Sequence, residues 1–311
     1  MKILTLVVFG AGIIYGATAF AGSIPTAAND VDFHQFPAEL VKLGRDLFFD
    51  PILSGNKNIA CATCHHPSLG TSDGMSLSVG EDGVGLGESR RVDMGNALSA
   101  FIGSKFRATE SPFDRYLAGE DAVSEEQLAG MDLFYGKTRC STCHSGTFQT
   151  DHNFHAIGLL QLGPGKDDYA SDAERGMITS EQEDMYRFRT PTLRNVSMTG
   201  PYGHNGAYAN LEDIVRHHLD AVKGLSSYDR SKAVLADDVA ANDWKAMDDF
   251  DEVMRIAEAI EISDVALVED EIAKIISFLG ALTDEGAGKR GLGTPNSVPS
   301  GLPLDATAPP S

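Results

Sequence analysis

The sequence predicts a mostly α-helical protein made of two related domains with long loops. Three observations carry this expectation. Apolar residues recur at helical spacing along several segments. One pattern occurs twice, as Leu40-Val-Lys-Leu-Gly-Arg-Asp-Leu-Phe-Phe49 and as Leu128-Ala-Gly-Met-Asp-Leu-Phe-Tyr135. Each copy leads into a Cys-x-x-Cys-His pentapeptide, Cys61-Ala-Thr-Cys64-His65 and Cys140-Ser-Thr-Cys143-His144, and the two pentapeptides use every cysteine of the chain.

Cys-x-x-Cys-His is the attachment motif of a c-type haem: two thioethers hold the porphyrin and the histidine ligates iron. A zinc site would need further Cys or His at matching spacing, and a redox dithiol does not need a histidine directly after it. Both copies carry that histidine, which points to haem. The expected fold is therefore two cytochrome c-like haem domains, residues 22–118 and 119–290, with two covalently bound c-type haems.

The elements follow in chain order. Residues 1–21 read as a secretory signal: Lys2 is the positive start, Ile3 to Ala19 is mostly apolar, and Ala19-Phe20-Ala21 is a cleavage site. Covalent haem needs an exported apoprotein, so a periplasmic location is expected, with no membrane span after cleavage. Pro67 to Glu88 and Leu159 to Ser180 read as glycine-punctuated loops. Glu125 to Phe134 reads as a helix behind an N-cap at Ser124, with Gln127 three residues on. Leu211, Ile214, Val215 and His218 share one helical face, and Val265 to Leu282 is a long amphipathic segment. Residues 291–311, rich in Gly, Pro and Ser, read as an extended tail, free to wrap over a domain surface.

The chain carries 45 acidic and 25 basic residues, a net charge of −20. That balance argues against nucleic acid and anionic membrane as partners and suits a basic redox protein.

His65 and His144 each supply one axial ligand, and the opposite position decides between electron transfer and binding of peroxide or oxygen. Opposite His144 the best candidate is His218, which lies on the apolar face of its helix; His217 is rotated partly away, and Met198 is a further candidate. Opposite His65 the sequence offers an absence, because no histidine occurs between His66 and His144. His34 and Met75 are unplaced candidates there.

Several longer motifs resemble the bacterial di-haem cytochrome c peroxidase family, which includes the MauG-type enzymes. Leu43-Gly-Arg-Asp-Leu-Phe-Phe-Asp50 with the first pentapeptide is similar to the family's N-terminal haem entry. Ser111-Pro-Phe-Asp-Arg-Tyr-Leu-Ala-Gly119 resembles its linker. Phe188-Arg-Thr-Pro-Thr-Leu-Arg-Asn195 and Thr199-Gly-Pro-Tyr-Gly-His-Asn-Gly206 resemble its signature after the second haem. The resemblance runs from about Leu40 to Leu282.

It implies a peroxidatic first haem that reduces hydrogen peroxide to water. It implies a second haem that accepts electrons from a small cytochrome c or cupredoxin and relays them. A homodimer is an assembly it leaves open. It also implies calcium held through the carbonyls of Thr199 and Pro201, although the family's third ligand, an asparagine, has no counterpart in Arg90-Arg91-Val92-Asp93.

Two departures stand out. The family's Met or Tyr opposite the second haem aligns with His218. The family's long segment bearing an inter-haem tryptophan and a distal acid is missing between Arg91 and Met94, and the only tryptophan, Trp244, is expected to pack in the second domain. Glu81, Asp82, Glu88 and Glu110 are the substitutes for the distal acid, with Glu81 and Glu88 put forward as catalytic candidates. The competing readings are a di-haem electron-transfer cytochrome without peroxidase activity and a MauG-like protein-modifying oxidase.

Overall fold

The computed structural model describes residues 23–65, 88–163, 171–234, 244–287 and 293–304; the side chains of 88–93 lie outside this description. Among the described residues the helices are α1 (Ala38–Phe49), α2 (Cys61–Cys64), α3 (Glu88–Lys105), α4 (Pro112–Leu117), α5 (Glu125–Tyr135), α6 (Arg175–Thr179), α7 (Leu211–Leu219), α8 (Ala221–Ser226), α9 (Lys245–Asp248), α10 (Phe250–Ala259) and α11 (Glu269–Ala281). One two-stranded antiparallel pair, β1 (Phe154–His155) with β2 (Phe188–Arg189), joins the loops of the second domain.

The repeated sequence pattern is a repeated helix crossing. α1 packs against α3, and α5 packs against α11. A Cβ on Gly44 would overlap the carbonyl oxygen of Ala97 and press on Phe101; a Cβ on Gly130 would overlap the carbonyl oxygen of Lys274 and press on Phe278. Glycine is needed at both places because only a bare Cα lets the two backbones come so close. One turn further along, Phe48 meets Phe101 at 5.4 Å between ring centres, and Phe134 meets Phe278 at 5.2 Å. Each crossing sits in its own apolar cluster: Phe48, Phe49, Ala62 and Phe101 around the first, and Phe113, Met131, Phe134, Phe278 and Leu282 around the second.

Local chemistry sets the helix ends. The Ser124 hydroxyl accepts from the Gln127 amide at 3.2 Å, and the Gln127 side chain accepts from the Ser124 amide at 2.9 Å, closing a capping box on α5. α7 starts where the Asn210 side chain accepts from the Asp213 amide at 2.9 Å. α11 begins at Glu269 rather than Val265, since the Glu271 carboxylate accepts from the Val268 amide at 3.1 Å and closes the first turn there.

One expectation about loops needs correction. The segment 159–180 is not all loop: α6 forms within it, ended by Ser180 at φ +61°. The C-terminal tail comes back to the first domain. Val298 is buried among Phe48, Phe49 and Phe101, and Ser300 donates to the Asp50 carboxylate from its amide at 3.2 Å and its hydroxyl at 2.7 Å. Trp244 packs against Tyr228 with the Arg230 guanidinium 5.0 Å from its ring centre. Among the described residues no helix is long and apolar enough to cross a membrane.

Candidate functional site

The two pentapeptides form the same turn. The His65 amide donates to the Cys61 carbonyl at 2.9 Å, and the His144 amide donates to the Cys140 carbonyl at 3.0 Å. No disulfide forms among the four cysteines. Burial pushes the thiols of Cys61 and Cys140 up, and Cys143 is pushed up to about 11 by burial with Asp151, Glu261 and Cys140 adding to it. A redox dithiol needs a depressed thiol pKa, and the shift here runs the other way.

The second site has two imidazoles facing each other. The rings of His144 and His218 lie with centres 6.3 Å apart at an interplanar angle of 56°. A metal–imidazole bond is about 2.0 Å and a ring nitrogen lies about 1.1 Å from its ring centre, so two imidazoles sharing one metal have centres about 6 Å apart. The observed separation fits one iron between them. His218 Nδ1 donates to the Ile214 carbonyl at 2.8 Å, which leaves Nε2 for the metal. His144 Nδ1 faces the Gln149 carbonyl at 3.4 Å in the same manner. Burial, then the neighbouring His218, pushes His144 down to about 4; burial also pushes His218 down. Burial thus favours the neutral form of both rings, the form that ligates a metal.

His217, one position earlier, is not available. Its Nε2 donates to the Ile157 carbonyl at 2.7 Å, and its Nδ1 accepts from the Tyr208 hydroxyl at 2.8 Å. It is 2 % exposed and serves as a buried strut between α7 and the loop at Ile157.

The surroundings of His144 hold groups that sequence reasoning passed over. His155 lies between two carboxylates, with Asp151 at 2.8 Å and Glu261 at 2.6 Å, and Arg187 reaches Glu261 at 2.7 Å. The Asp151 amide donates to the Cys143 carbonyl at 2.8 Å, tying this cluster to the pentapeptide. Arg194, noticed only as part of a motif, is buried against Asp114. Asp151 and His155 stand four residues apart, but no local signal marks the pairing of His155 with Glu261 or of Arg194 with Asp114, because those partners are 106 and 80 residues away.

At the first site, His34 is exposed and packs on Phe36 at 4.6 Å. Glu81, Asp82 and Met75 lie outside the described residues, and so does the Glu88 side chain at the start of α3. Glu110 is exposed on the linker, its amide held by Asp284 at 3.0 Å. Thr199 and Pro201 sit on the loop just before α7. The Thr199 hydroxyl donates to the Val196 carbonyl at 3.2 Å, and no backbone amide among the described residues donates to the carbonyls of Thr199 or Pro201.

Comparison with known proteins agrees with this architecture. Residues 38–93 match the family model described as di-haem cytochrome c peroxidase. The methylamine utilization protein MauG of Methylorubrum extorquens is 31 % identical, with 58 % of this chain and 69 % of that protein covered. Cytochrome c551 peroxidase of Pseudomonas aeruginosa is 27 % identical, with 64 % and 77 % covered. Among solved structures, a MauG-like protein associated with microbial copper homeostasis superposes with a TM-score of 0.60 at 25 % identity, covering 86 % of this chain and 95 % of that one. The di-haem peroxidase BthA of Burkholderia thailandensis shares the fold, with a TM-score of 0.57 at 16 % identity and coverage of 86 % and 92 %.

A mostly helical fold with two Cys-x-x-Cys-His turns and relatives of this kind define a di-haem oxidoreductase. The chain belongs to the di-haem cytochrome c peroxidase and MauG family.

Proposed function

We propose that this chain is a periplasmic di-haem cytochrome c peroxidase that reduces hydrogen peroxide to water with electrons from a small redox protein. The observation that carries the proposal is the opposition of His218 to His144, against the lack of any histidine between His66 and His144. One site is built to be closed on both faces and to pass electrons. The other keeps a face for substrate. The reaction consumes one peroxide, two protons and two electrons and yields two waters, so two one-electron donors are oxidised for each peroxide.

Cys61, Cys64 and His65 would hold the first haem; Cys140, Cys143, His144 and His218 would hold the second. When bound, haem supplies an iron that exchanges single electrons or binds peroxide, according to its axial ligands. The protein's own residues do the rest. Ile214 fixes the His218 ring through Nδ1 and sets which nitrogen faces inward. The net charge of −20 draws in a basic donor. Thr199 and Pro201 offer two carbonyls to a calcium ion. A carboxylate near His65, with Glu81 and Glu88 as the candidates, would shuttle the proton between peroxide oxygens.

The second reading, an electron-transfer cytochrome without peroxidase activity, is favoured by one observation. α3 runs without interruption from Glu88 to Lys105, so no long segment stands between Arg91 and Met94 to carry the usual distal acid. Peroxide-dependent oxidation of a reduced, basic c-type cytochrome by the holoprotein separates the two. The peroxidase reading expects two cytochromes oxidised per peroxide consumed; no oxidation above the protein-free rate sinks it.

A further inference from the structure

The linker between the domains is gripped by two adjacent residues of the second domain, Arg194 and Asn195, each working with a buried carboxylate. Arg194 is 9 % exposed and Asp114 is 3 % exposed. All five N–H groups of the guanidinium are used. Nη1 donates to the Asp114 carboxylate at 2.8 Å and to the Ala108 carbonyl at 2.6 Å. Nη2 donates to the other Asp114 oxygen at 2.8 Å and to the Thr147 carbonyl at 2.7 Å, and Nε reaches Thr147 at 2.9 Å.

Asp114 in turn accepts from the Ser111 hydroxyl at 2.6 Å and the Ala28 amide at 3.3 Å. Beside it, the Asn195 side chain accepts from the Asp284 amide at 2.7 Å, and one Asp284 oxygen accepts from the amides of Thr109 and Glu110, both at 3.0 Å.

These contacts join particular pieces. Ala108 lies three residues after the end of α3, which crosses α1, and α1 in turn packs against α2 of the first pentapeptide. Thr147 lies three residues after His144. A single planar fork thus ties the exit of the first haem domain to the loop behind the second haem's histidine. Lysine cannot replace it, because an ammonium has three donors at one point and no fork to bridge separate acceptors.

We propose that Arg194, seated on Asp114 and backed by Asp284, is a positioning residue for electron passage between the two domains, holding the linker 108–114 in fixed register with the loop that follows His144. This rests on the relay reading above: electrons cross one at a time, two for each peroxide reduced. Electron passage slows as the path between the haems lengthens or loosens, so a loosened linker should slow the crossing without altering either haem's ligands.

The test uses the fully oxidised holoprotein, wild type and Arg194→Lys, without peroxide. A sub-stoichiometric reducing pulse delivers one electron, and its redistribution between the haems is followed optically. Deuterium exchange of the peptide covering 105–118 is measured in parallel. The expected result is a slower redistribution, faster linker exchange, and unchanged midpoint potentials of both haems. Wild-type redistribution or wild-type linker exchange in a variant that holds both haems overturns the proposal, as does a wild-type protein showing no redistribution. Asp284→Asn, which keeps the side chain's shape, decides the matter on the same readouts if Arg194→Lys loses haem. A wild-type protein that redistributes the electron but reduces no peroxide contradicts the peroxidase reading and leaves the clamp standing.

Discussion

His217 and His218 are neighbours in α7 whose rings stand at 88° to each other, with centres 6.2 Å apart, and they serve different masters. His218 turns toward His144. His217 turns into the core, where Tyr208 and Ile157 occupy both of its nitrogens. Two adjacent residues of one type thus separate ligation from packing, and substitution separates them experimentally.

His218→Ala should convert the second haem from low spin to high spin while leaving the unfolding midpoint in denaturant nearly unchanged apart from the lost ligand bond. His217→Ala should do the reverse. It leaves the Tyr208 hydroxyl and the Ile157 carbonyl without partners, each costing about 1–3 kcal/mol, and keeps the low-spin spectrum. Electronic spectra and denaturant titration of both variants check this; an unchanged spectrum in His218→Ala removes it as a ligand.

Asp114 makes stability depend on acid. Burial works against its charged form, but the hydrogen bonds from Arg194 and Ser111 outweigh it and hold the carboxyl below the usual carboxylate range. Its contribution is therefore complete above the ordinary carboxylate pKa of about 4 and is lost as pH falls through the lower folded value. Asp114→Ala should cost about 3–5 kcal/mol at pH 7, because a buried guanidinium loses its counter-charge. The gap to wild type should narrow below pH 4 in urea titrations.

His155 makes the opposite case. Burial lowers it, yet the hydrogen bonds to Asp151 and Glu261 prevail and raise it above the ordinary histidine value. The same contact helps hold Asp151 down at about 2. Stability from this pair is present below the ordinary histidine pKa of about 6.5 and fades as pH rises through the folded value. His155→Gln should be most destabilising near pH 6 and least so at pH 9; a constant difference across that range contradicts the assignment.

Gly44→Ala and Gly130→Ala each drive a methyl into a backbone carbonyl of the opposing helix. Overpacking of this kind costs about 1–3 kcal/mol, and here the neighbour is main chain, which yields least. Gly44→Ala should lower the stability of the first domain and the retention of its haem, and Gly130→Ala the second. Pyridine haemochrome content and melting curves report both; equal loss from both domains in either variant argues against two separate cores.

Much of this architecture was legible because it is local. The glycine with a Leu-Phe pair three and four residues later marks both crossings, since helix geometry places those side chains on or beside the crossing face. The capping box at Ser124 and the face bearing Leu211, Ile214 and His218 follow from the same periodicity. What escaped notice is non-local. Asp114 and Arg194 are 80 residues apart, Asp284 meets Thr109 across 175, and Ser300 meets Asp50 across 250. The return of Val298 to the first core was equally hidden, because a Gly- and Pro-rich tail has no period to read. The catalytic candidates Glu81 and Glu88 stay proposals of the sequence.

The inequality of the two haem sites is most directly tested by the near-infrared magnetic circular dichroism of the half-reduced holoprotein, recorded alongside the fully oxidised form. The account predicts, in the fully oxidised form, a bis-histidine low-spin signal assigned to His144 and His218 and absent in His218→Ala, and, in the half-reduced form, a high-spin signal from the haem on His65 that changes on addition of peroxide. Two six-coordinate low-spin haems in the half-reduced protein, with no change on peroxide, would contradict it.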